Sequence, residues 1–255
     1  MQTFSDSELD RYARHIVLHE IGGVGQLRLR QATVTVVGAG GIGSPALQYL
    51  AGAGIGNLRI IDDDAVDLSN LHRQTIYDSA DTGLPKAAAA AVAIARLNPL
   101  IATDVRIERI DRANAETLLA GSSVVIDGTD NFATRLLTAD AAHALRIPLV
   151  SAAIGQFEGQ LAVFRGWEAD LPCYRCLVGN DPGRVEASCA DQGVLGPVTG
   201  MIGAMAALEA IRAIVPFGDD PAGRLLLIDL LSWRFRSLML PADPGCPCCG
   251  DQVAA

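Results

Sequence analysis

Hydrophobic and polar positions follow two alternating patterns between residues 32 and 155. Strands are predicted at 32–40, 57–62, 102–108 and 148–153, a strand together with its loop is predicted at 123–131, and helices are predicted at 42–53, 86–97, 113–120 and 132–145. Strands and helices that alternate with short loops are typical of an α/β protein with a doubly wound, mostly parallel sheet.

The pattern changes on both sides of this region. Residues 5–31 are predicted to be helical, because Leu9, Tyr12, Ile16 and His19 recur at helical spacing. Segment 158–165 alternates like an antiparallel strand, and segments 224–230 and 233–240 predict a hairpin that continues the sheet. Residues 177–192, which lack periodicity, predict a mobile loop. A later helix has a predicted buried face that consists of Val198, Met201, Ile202, Met205, Leu208 and Ile211.

The stretch VVGAGGIGS at 36–44 joins the first strand to the next helix. Gly38, Gly40 and Gly43 fit the G-x-G-x-x-G fingerprint, in which glycines permit a tight turn and let backbone N–H groups approach phosphate oxygens. Asp62 ends the second strand, where an acid that binds ribose belongs. A nicotinamide site and an ATP site both fit this pattern, and so do glycines that serve only strand–helix packing.

Acidic and basic residues cluster just beyond the predicted strand ends. They are Asp62, Asp64, Asn70 and Arg73 in DDDAVDLSNLHRQ (62–74), Lys86 in GLPKA (83–87), and Asp127 and Asp130 in DGTDN (127–131). Carboxylates suit a magnesium ion, while Lys and Arg suit phosphate oxygens, so the cluster indicates a magnesium–triphosphate site. The alternative for any single residue is a helix cap or a surface ion pair.

The chain has six cysteines, and four of them form two C-x-x-C pairs. Cys173 with Cys176 and Cys246 with Cys249 have the spacing of a closed, structural zinc knuckle. Two disulfides are the competing explanation, which the absence of a secretion signal at the N-terminus disfavours. Cys248 is an additional thiol. Cys189 is either an incidental thiol or a nucleophile that carries an acyl or persulfide group.

Composition narrows the classes of function. The 255-residue chain is 50% hydrophobic and has a net charge of −9 without a Lys/Arg-rich run, so we expect no nucleic-acid surface. The apolar runs at 87–95 and 197–208 are shorter than the ~18 residues of a membrane span. We therefore expect no membrane association and a cytoplasmic protein.

Taken in order along the chain, these motifs resemble the ThiF/MoeB family of ubiquitin-activating-type adenylyltransferases. The resemblance rests on RYARH (11–15), GAGGIGS (38–44), DDDAVDLSNLHRQ (62–74), PK (85–86), TDN (129–131), CYRC (173–176) and CPCCG (246–250). It implies that the C-terminal carboxylate of a small ubiquitin-like sulfur-carrier protein, ending in Gly-Gly, attacks ATP. The products are an acyl-adenylate and pyrophosphate. A sulfur donor, such as a cysteine desulfurase or a rhodanese, then acts in molybdopterin or thiamin synthesis.

The resemblance also implies roles for individual residues. Its catalytic set is Arg14, Asn70, Arg73, Lys86 and Asp130, with Cys189 as a possible covalent carrier in thiamin-type members. Its ATP-binding set is Gly38, Gly40, Gly41, Gly43, Asp62, Asp64, Ser69, Asn70, Arg73, Gln74, Lys86, Asp130 and Asn131. Asp130 is the magnesium ligand. Arg14 is inserted at the triphosphate by a partner subunit, which implies a homodimer.

One domain is expected, in three parts. They are a helical arm at 1–31, a Rossmann-like nucleotide-binding part at 32–155, and an antiparallel, carrier-binding part with the zinc site at 156–255. His15, Gly128 and Cys248 depart from the residues usual in the family, and none touches the implied chemistry. Two rival functions are an NAD-dependent oxidoreductase and a zinc-stapled, non-catalytic ATP-binding scaffold.

Overall fold

A single mixed sheet of eight strands forms the centre of the computed structural model, which describes residues 3–179 and 193–250. The strands are β1 (Thr33–Val37), β2 (Asn57–Ile61), β3 (Ala102–Arg106), β4 (Val124–Asp127), β5 (Leu149–Ile154), β6 (Glu158–Phe164), β7 (Arg224–Asp229) and β8 (Arg234–Met239). Their order across the sheet is β3-β2-β1-β4-β5-β6-β7-β8. The neighbours from β3 to β5 are parallel, and those from β5 to β8 are antiparallel. This confirms the predicted sheet and its antiparallel continuation.

The described residues contain eight α-helices. They are α1 (Asp6–Ile16), α2 (Gly22–Gln31), α3 (Gly43–Ala53), α4 (Lys86–Leu97), α5 (Ala115–Leu119), α6 (Phe132–Ala144), α7 (Tyr174–Val178) and α8 (Gly196–Ile214). Successive side chains of a strand point to opposite faces, so β4 places Val124 and Ile126 in one apolar cluster and Val125 in another. The first cluster includes residues of α2, α3, α4 and α8, and the second includes residues of α5, α6 and α7. Both faces of the sheet are thus covered, as in a doubly wound fold.

The N-terminal region is helical as predicted, and it forms two helices, because residues 17–21 separate α1 from α2. Gly22, at the start of α2, has a φ of +60°, a left-handed conformation that ends one helical path and begins another. An ion pair of 3.0 Å between Arg30 and Glu8 joins the two helices. The predicted loop at 177–192 is corrected, since Leu177 and Val178 lie in α7. Residues 180–192 lie outside the described residues, so the rest of that prediction stays untested.

Helix α8 packs against α3 and the sheet through a face of mainly small residues. Its buried residues are Val198, Thr199, Ile202, Gly203, Ala206, Ala207 and Ala210. Leu208, which we predicted to be buried, is 45% exposed, since it lies about 120° around the helix axis from Ile202. The helix has 19 residues and is long and apolar enough to cross a membrane, unlike the shorter run 197–208 that the sequence indicated. Its buried face is that of a core helix.

Candidate active site

A cavity of about 540 Å³ opens at the carboxyl ends of the parallel strands. It lies where the chain turns from β1 toward β2 on one side and β4 on the other, the switch point at which doubly wound sheets bind ligands. Many of the residues predicted to bind ATP line it. They are Gly38, Gly40, Gly41, Asp62, Asp64, Asn70, Arg73, Gln74, Lys86, Asp130 and Asn131.

The glycine loop joins β1 to α3 and leaves little room for side chains. A Cβ at Gly43 would lie 1.9 Å from the carbonyl oxygen of Gly38, so Gly43 serves the close packing of the loop and is not among the residues that line the cavity. Gly38 has a φ of +86°, which a residue with a side chain rarely adopts. A Cβ at Gly41 would lie 3.1 Å from Cγ2 of Thr199. The loop therefore presents its backbone to the cavity.

Asp62 follows β2 and connects the glycine loop to the next segment. Its Oδ2 accepts a hydrogen bond of 2.7 Å from the backbone N–H of Ala39, and its Oδ1 accepts one of 2.9 Å from that of Asp64. Burial raises the pKa of Asp62 above its ordinary value. Lys86 and the two backbone donors stabilise the charged form and offset only part of this rise. The carboxylate keeps acceptor capacity for hydroxyl groups such as those of a ribose.

Lys86 is the first residue of α4 and is nearly enclosed. Its side chain is 8% exposed, and its Nζ donates a hydrogen bond of 2.7 Å to Oδ2 of Asp64, whose side chain is 68% exposed. The backbone also fixes this position, because the N–H of Lys86 donates to the carbonyl oxygen of Asp64 at 2.9 Å. A positive charge at a helix N-terminus is unfavourable, so the Asp64 carboxylate compensates both the burial and the helix dipole.

The segment after Asp64 holds a second cation at the cavity. Nη2 of Arg73 donates to Oδ1 of Asn70 at 2.6 Å, and its Nη1 donates to the carbonyl oxygen of Ser69 at 3.2 Å. The Ser69 hydroxyl donates instead to Asp67 at 2.5 Å, and Ser69 is not among the residues that line the cavity. Ser69 thus shapes the turn that holds Arg73.

The DGTDN segment after β4 forms the opposite wall. Asp127 is 1% exposed, and its Oδ1 accepts bonds from the N–H and hydroxyl of Thr129 at 3.0 and 2.7 Å. Complete burial raises the pKa of Asp127. The exposed Asp130 lines the cavity, and the side chain of Asn131 caps α6 by accepting the N–H of Thr134 at 2.8 Å. Buried Asp127 therefore holds the turn that presents Asp130.

Sequence reasoning missed four charged residues of the cavity: Asp63, Glu108, Arg109 and Arg135. Glu108 and Arg109 follow β3, and their place at a strand end was the signal available. Arg135 lies one helical turn after the cap residue Asn131 and donates to the carbonyl oxygen of Thr129. The charged lining then consists of five carboxylates (Asp62, Asp63, Asp64, Glu108 and Asp130) and four cations (Arg73, Lys86, Arg109 and Arg135).

Two residues of the predicted catalytic set, Arg14 and Cys189, are not among the described residues that line the cavity. Arg14 is exposed on α1 and is not among the residues that line the cavity. Its predicted insertion by a partner subunit therefore stays a prediction. Cys189 lies outside the described residues, and its predicted chemistry is likewise untested.

The four predicted cysteines form a separate cluster far from the glycine loop in sequence. Their sulfur atoms all lie within 4.8 Å of one another. The Sγ atoms of Cys173 and Cys246 are 3.5 Å apart, those of Cys176 and Cys249 are 3.4 Å apart, and those of Cys173 and Cys176 are 3.9 Å apart. All the described cysteines are free thiols, so the disulfide alternative does not hold. The cluster has the ligand set and spacing to hold a metal ion.

Comparison with known proteins places this fold and this cavity in a family. The ThiF family model matches residues 12–248. A sulfur carrier protein adenylyltransferase of Thermus thermophilus is 44% identical over 254 residues, which cover 98% of this chain and 93% of that protein. A molybdopterin-synthase adenylyltransferase of Salmonella typhimurium is 40% identical over 251 residues, covering 98% of this chain and all of that protein.

A solved structure shares the fold at lower sequence identity. The crystal structure of E. coli MccB with MccA-N7isoASN matches with a TM-score of 0.82 at 22% identity, covering 94% of this chain and 74% of that chain. The family match extends over most of the chain, and both relatives are at least 40% identical across nearly all of it. The chain belongs to the ThiF family.

Proposed function

We propose that this chain is an adenylyltransferase that transfers AMP from ATP to the C-terminal carboxylate of a small ubiquitin-like sulfur-carrier protein. The cavity carries the proposal, because a backbone-lined glycine loop, a ribose-type acid and two held cations surround one space. The names of the two relatives supply the carrier substrate and the reaction type.

The reaction needs no protein base for its first step. An oxygen of the carrier's terminal carboxylate, already ionised at neutral pH, attacks the α-phosphorus of ATP. The bond from that phosphorus to the bridging oxygen of the β-phosphate breaks, and pyrophosphate leaves with the electron pair. The chain's task is to bring two anions together, and Lys86 and Arg73 offset their repulsion.

The charges of the lining favour a divalent cation as a companion of ATP. Five carboxylates and four cations line the cavity, so the protein alone does not neutralise a triphosphate. Asp130 projects a carboxylate from the turn that Asp127 holds, and carboxylate oxygen is a preferred ligand of Mg²⁺. Asp130 is therefore the residue to hold Mg²⁺, which supplies charge neutralisation at the phosphates when bound.

The cysteine cluster suits zinc. Four thiolates that bind zinc at about 2.3 Å in a tetrahedron have their sulfur atoms ~3.8 Å apart. The separations of 3.4, 3.5 and 3.9 Å found here lie around that value. With every position taken by sulfur, the metal has a structural role.

The carrier is proposed to dock on the antiparallel part, at 156–255. Strand β8 is the exposed edge of the sheet, and apolar side chains lie on it and just before it. They are Leu231, Trp233, Phe235, Leu238 and Met239, each at least 44% exposed. Phe235→Glu is expected to raise the KM for the carrier with little change in the KM for ATP. An unchanged carrier KM would move the docking site elsewhere.

Three further features belong to the proposal without a contact in the described chain. The first is a homodimer in which Arg14 of each subunit reaches the other's triphosphate. The second is a sulfur donor, a cysteine desulfurase or a rhodanese, that converts the adenylate to a thiocarboxylate. The third is a cytoplasmic location. The proposed nucleotide-binding role of residues 32–155 rests instead on the cavity, whose lining residues in the described chain all lie within that part.

The deciding experiment is carrier-dependent exchange of labelled pyrophosphate into ATP. Molybdopterin-type and thiamin-type carriers are tested side by side, each with and without its terminal Gly-Gly. Exchange that requires the glycines and is lost in Lys86→Ala and Asp130→Ala supports adenylation and identifies the carrier. ATP binding with no exchange would favour the scaffold, and tight binding of NADH with no ATP turnover would favour an oxidoreductase.

A further inference from the structure

Helix α6 extends from the nucleotide cavity to the cysteine cluster. At its first turn, Asn131 caps the helix directly after Asp130, and Arg135 lines the cavity one turn later. Asp140 lies five residues beyond Arg135, about 7.5 Å farther along the axis. The same rigid element therefore carries cavity residues at its start and other contacts near its end.

An ion pair joins the far part of α6 to α7, the short helix that begins within the first C-x-x-C pair. Nε and Nη2 of Arg175 donate to the two carboxylate oxygens of Asp140 at 2.7 and 2.6 Å. The side chains are 19% and 38% exposed, so the pair is partly shielded from water. Two parallel charge-assisted bonds define both the distance and the orientation between Arg175 and α6.

A second contact joins α7 to the beginning of α6. The rings of Tyr174 and Phe132 are 6.4 Å apart, and Tyr174 also meets Phe164 of β6 edge to face at 5.5 Å. Tyr174 is 6% exposed. The two residues between Cys173 and Cys176 thus contact α6 at two points along its length.

We propose that Arg175 and Asp140 are a positioning pair, which sets the place of α6 along its axis and thereby the places of Asp130 and Arg135 in the cavity. The proposal rests on the proposed function only for the role of Asp130 toward Mg²⁺. A helix of this length is stiff and moves as a unit. A contact that fixes Asp140 therefore also fixes the position of the capped first turn of α6. Neither member of the pair is among the residues that line the cavity.

The test is the Mg²⁺ dependence of nucleotide binding in Asp140→Asn and Arg175→Lys, measured with a fluorescent ATP analogue on the full chain without a carrier. Each change removes one half of the bidentate pair while keeping side-chain size or charge. We expect the half-saturating Mg²⁺–nucleotide concentration to rise about tenfold in Asp140→Asn and less in Arg175→Lys, which keeps one charge-assisted bond. Metal content per chain should stay as in the wild type.

The matched control is Asp220→Asn. Asp220 also pairs with an arginine, Arg165 of the segment after β6, but neither residue is among those that line the nucleotide cavity. Its Mg²⁺ dependence is expected to equal that of the wild type. The proposal would be overturned if Asp140→Asn bound Mg²⁺–nucleotide as well as this control does, whatever the Tm of the variant. A loss of the metal bound at the cysteine cluster in Asp140→Asn would also overturn it. Because no carrier is present, failure of carrier-dependent exchange in the wild type would refute the proposed function without affecting this result.

Discussion

Because the ammonium of Lys86 is buried, we expect its removal to change the stability of the fold little and the activity strongly. Replacing it by Met keeps the apolar stem and removes a charge that is both enclosed and unfavourably placed at a helix N-terminus. The loss of the ion pair to Asp64 offsets this gain. We expect Lys86→Met to unfold within about 1 kcal/mol of the wild type, which for a chain of this size is ~2–4 °C in Tm. Pyrophosphate exchange should fall at least ~100-fold, since a group that compensates phosphate charge is gone.

The partner variant is expected to behave in the opposite way. Asp64→Asn leaves the ammonium buried and removes the charge that compensates it. A fully buried broken pair costs ~3–5 kcal/mol and an exposed one ~0–1, and this pair, 8% and 68% exposed, falls between them at about 2 kcal/mol. That destabilisation lowers Tm by ~4–8 °C. Thermal melts of the two single variants and the double variant measure the coupling directly.

The relative stabilities of Lys86→Met and Asp64→Asn test this account of the ion pair. The double variant Asp64→Asn/Lys86→Met should recover the stability lost in Asp64→Asn, because no ammonium then remains to be compensated. If Lys86→Met loses more than about 3 kcal/mol, or Asp64→Asn is as stable as the wild type, the ion pair does not work as described. Lys86 would then be a structural residue of α4.

Three further predictions concern other parts of the molecule. Gly43→Ala, whose Cβ would lie 1.9 Å from a backbone oxygen, should lose at least ~3 kcal/mol in denaturant unfolding, whereas Gly52→Ala on the same helix, with nothing within 4 Å, should gain ~0.5–1. Folding raises the pKa of Asp127, so the folded state holds its proton to higher pH than the unfolded chain, and the contribution of Asp127 to stability falls as the pH rises from ~4 through its folded pKa. The Tm of Asp127→Asn relative to the wild type should therefore increase as the pH is raised from ~4, and a difference that stays constant across the whole pH range would contradict the assignment. Chelation, or Cys176→Ser, should release one zinc per chain and lower Tm, and metal analysis that finds none in the wild type would exclude the site.

Elements with local signals were predictable from the sequence. Helix α4 begins after Pro85 and ends before Asn98, as expected, because proline and the periodicity of the helix are encoded within the segment itself. The break between α1 and α2 was not predictable in this way. The predicted helical spacing includes His19, which lies inside the break, so the periodicity alone did not mark the left-handed conformation of Gly22 at the start of α2. Leu208 was misplaced because a long apolar helix offers several faces, and only the sheet decides which one is buried.

The candidate site also contains residues that the sequence could predict and residues that it could not. Asp62, Lys86 and Asp130 could be predicted because the ends of parallel strands meet at one edge of the sheet. The role of Gly43 differs from the predicted one, since a motif does not distinguish a glycine that faces a ligand from one that faces another backbone atom. Arg109 and Arg135 belong to no motif, and their place in the cavity depends on the position of β3 and the rotation of α6.

The edge strand β8 has a consequence for how copies of this chain meet. All six of its residues are exposed, and such an edge is a template for aggregation. Arg234 and Arg236 lie on it, so two copies that paired edge to edge would bring four guanidinium groups close together, with Asp229 of β7 opposite Arg234 in each copy. The strand thus repels its own copies while it remains open to a strand that carries acidic residues. Arg234 and Arg236 therefore disfavour pairing between copies of this chain and favour pairing with an acidic strand.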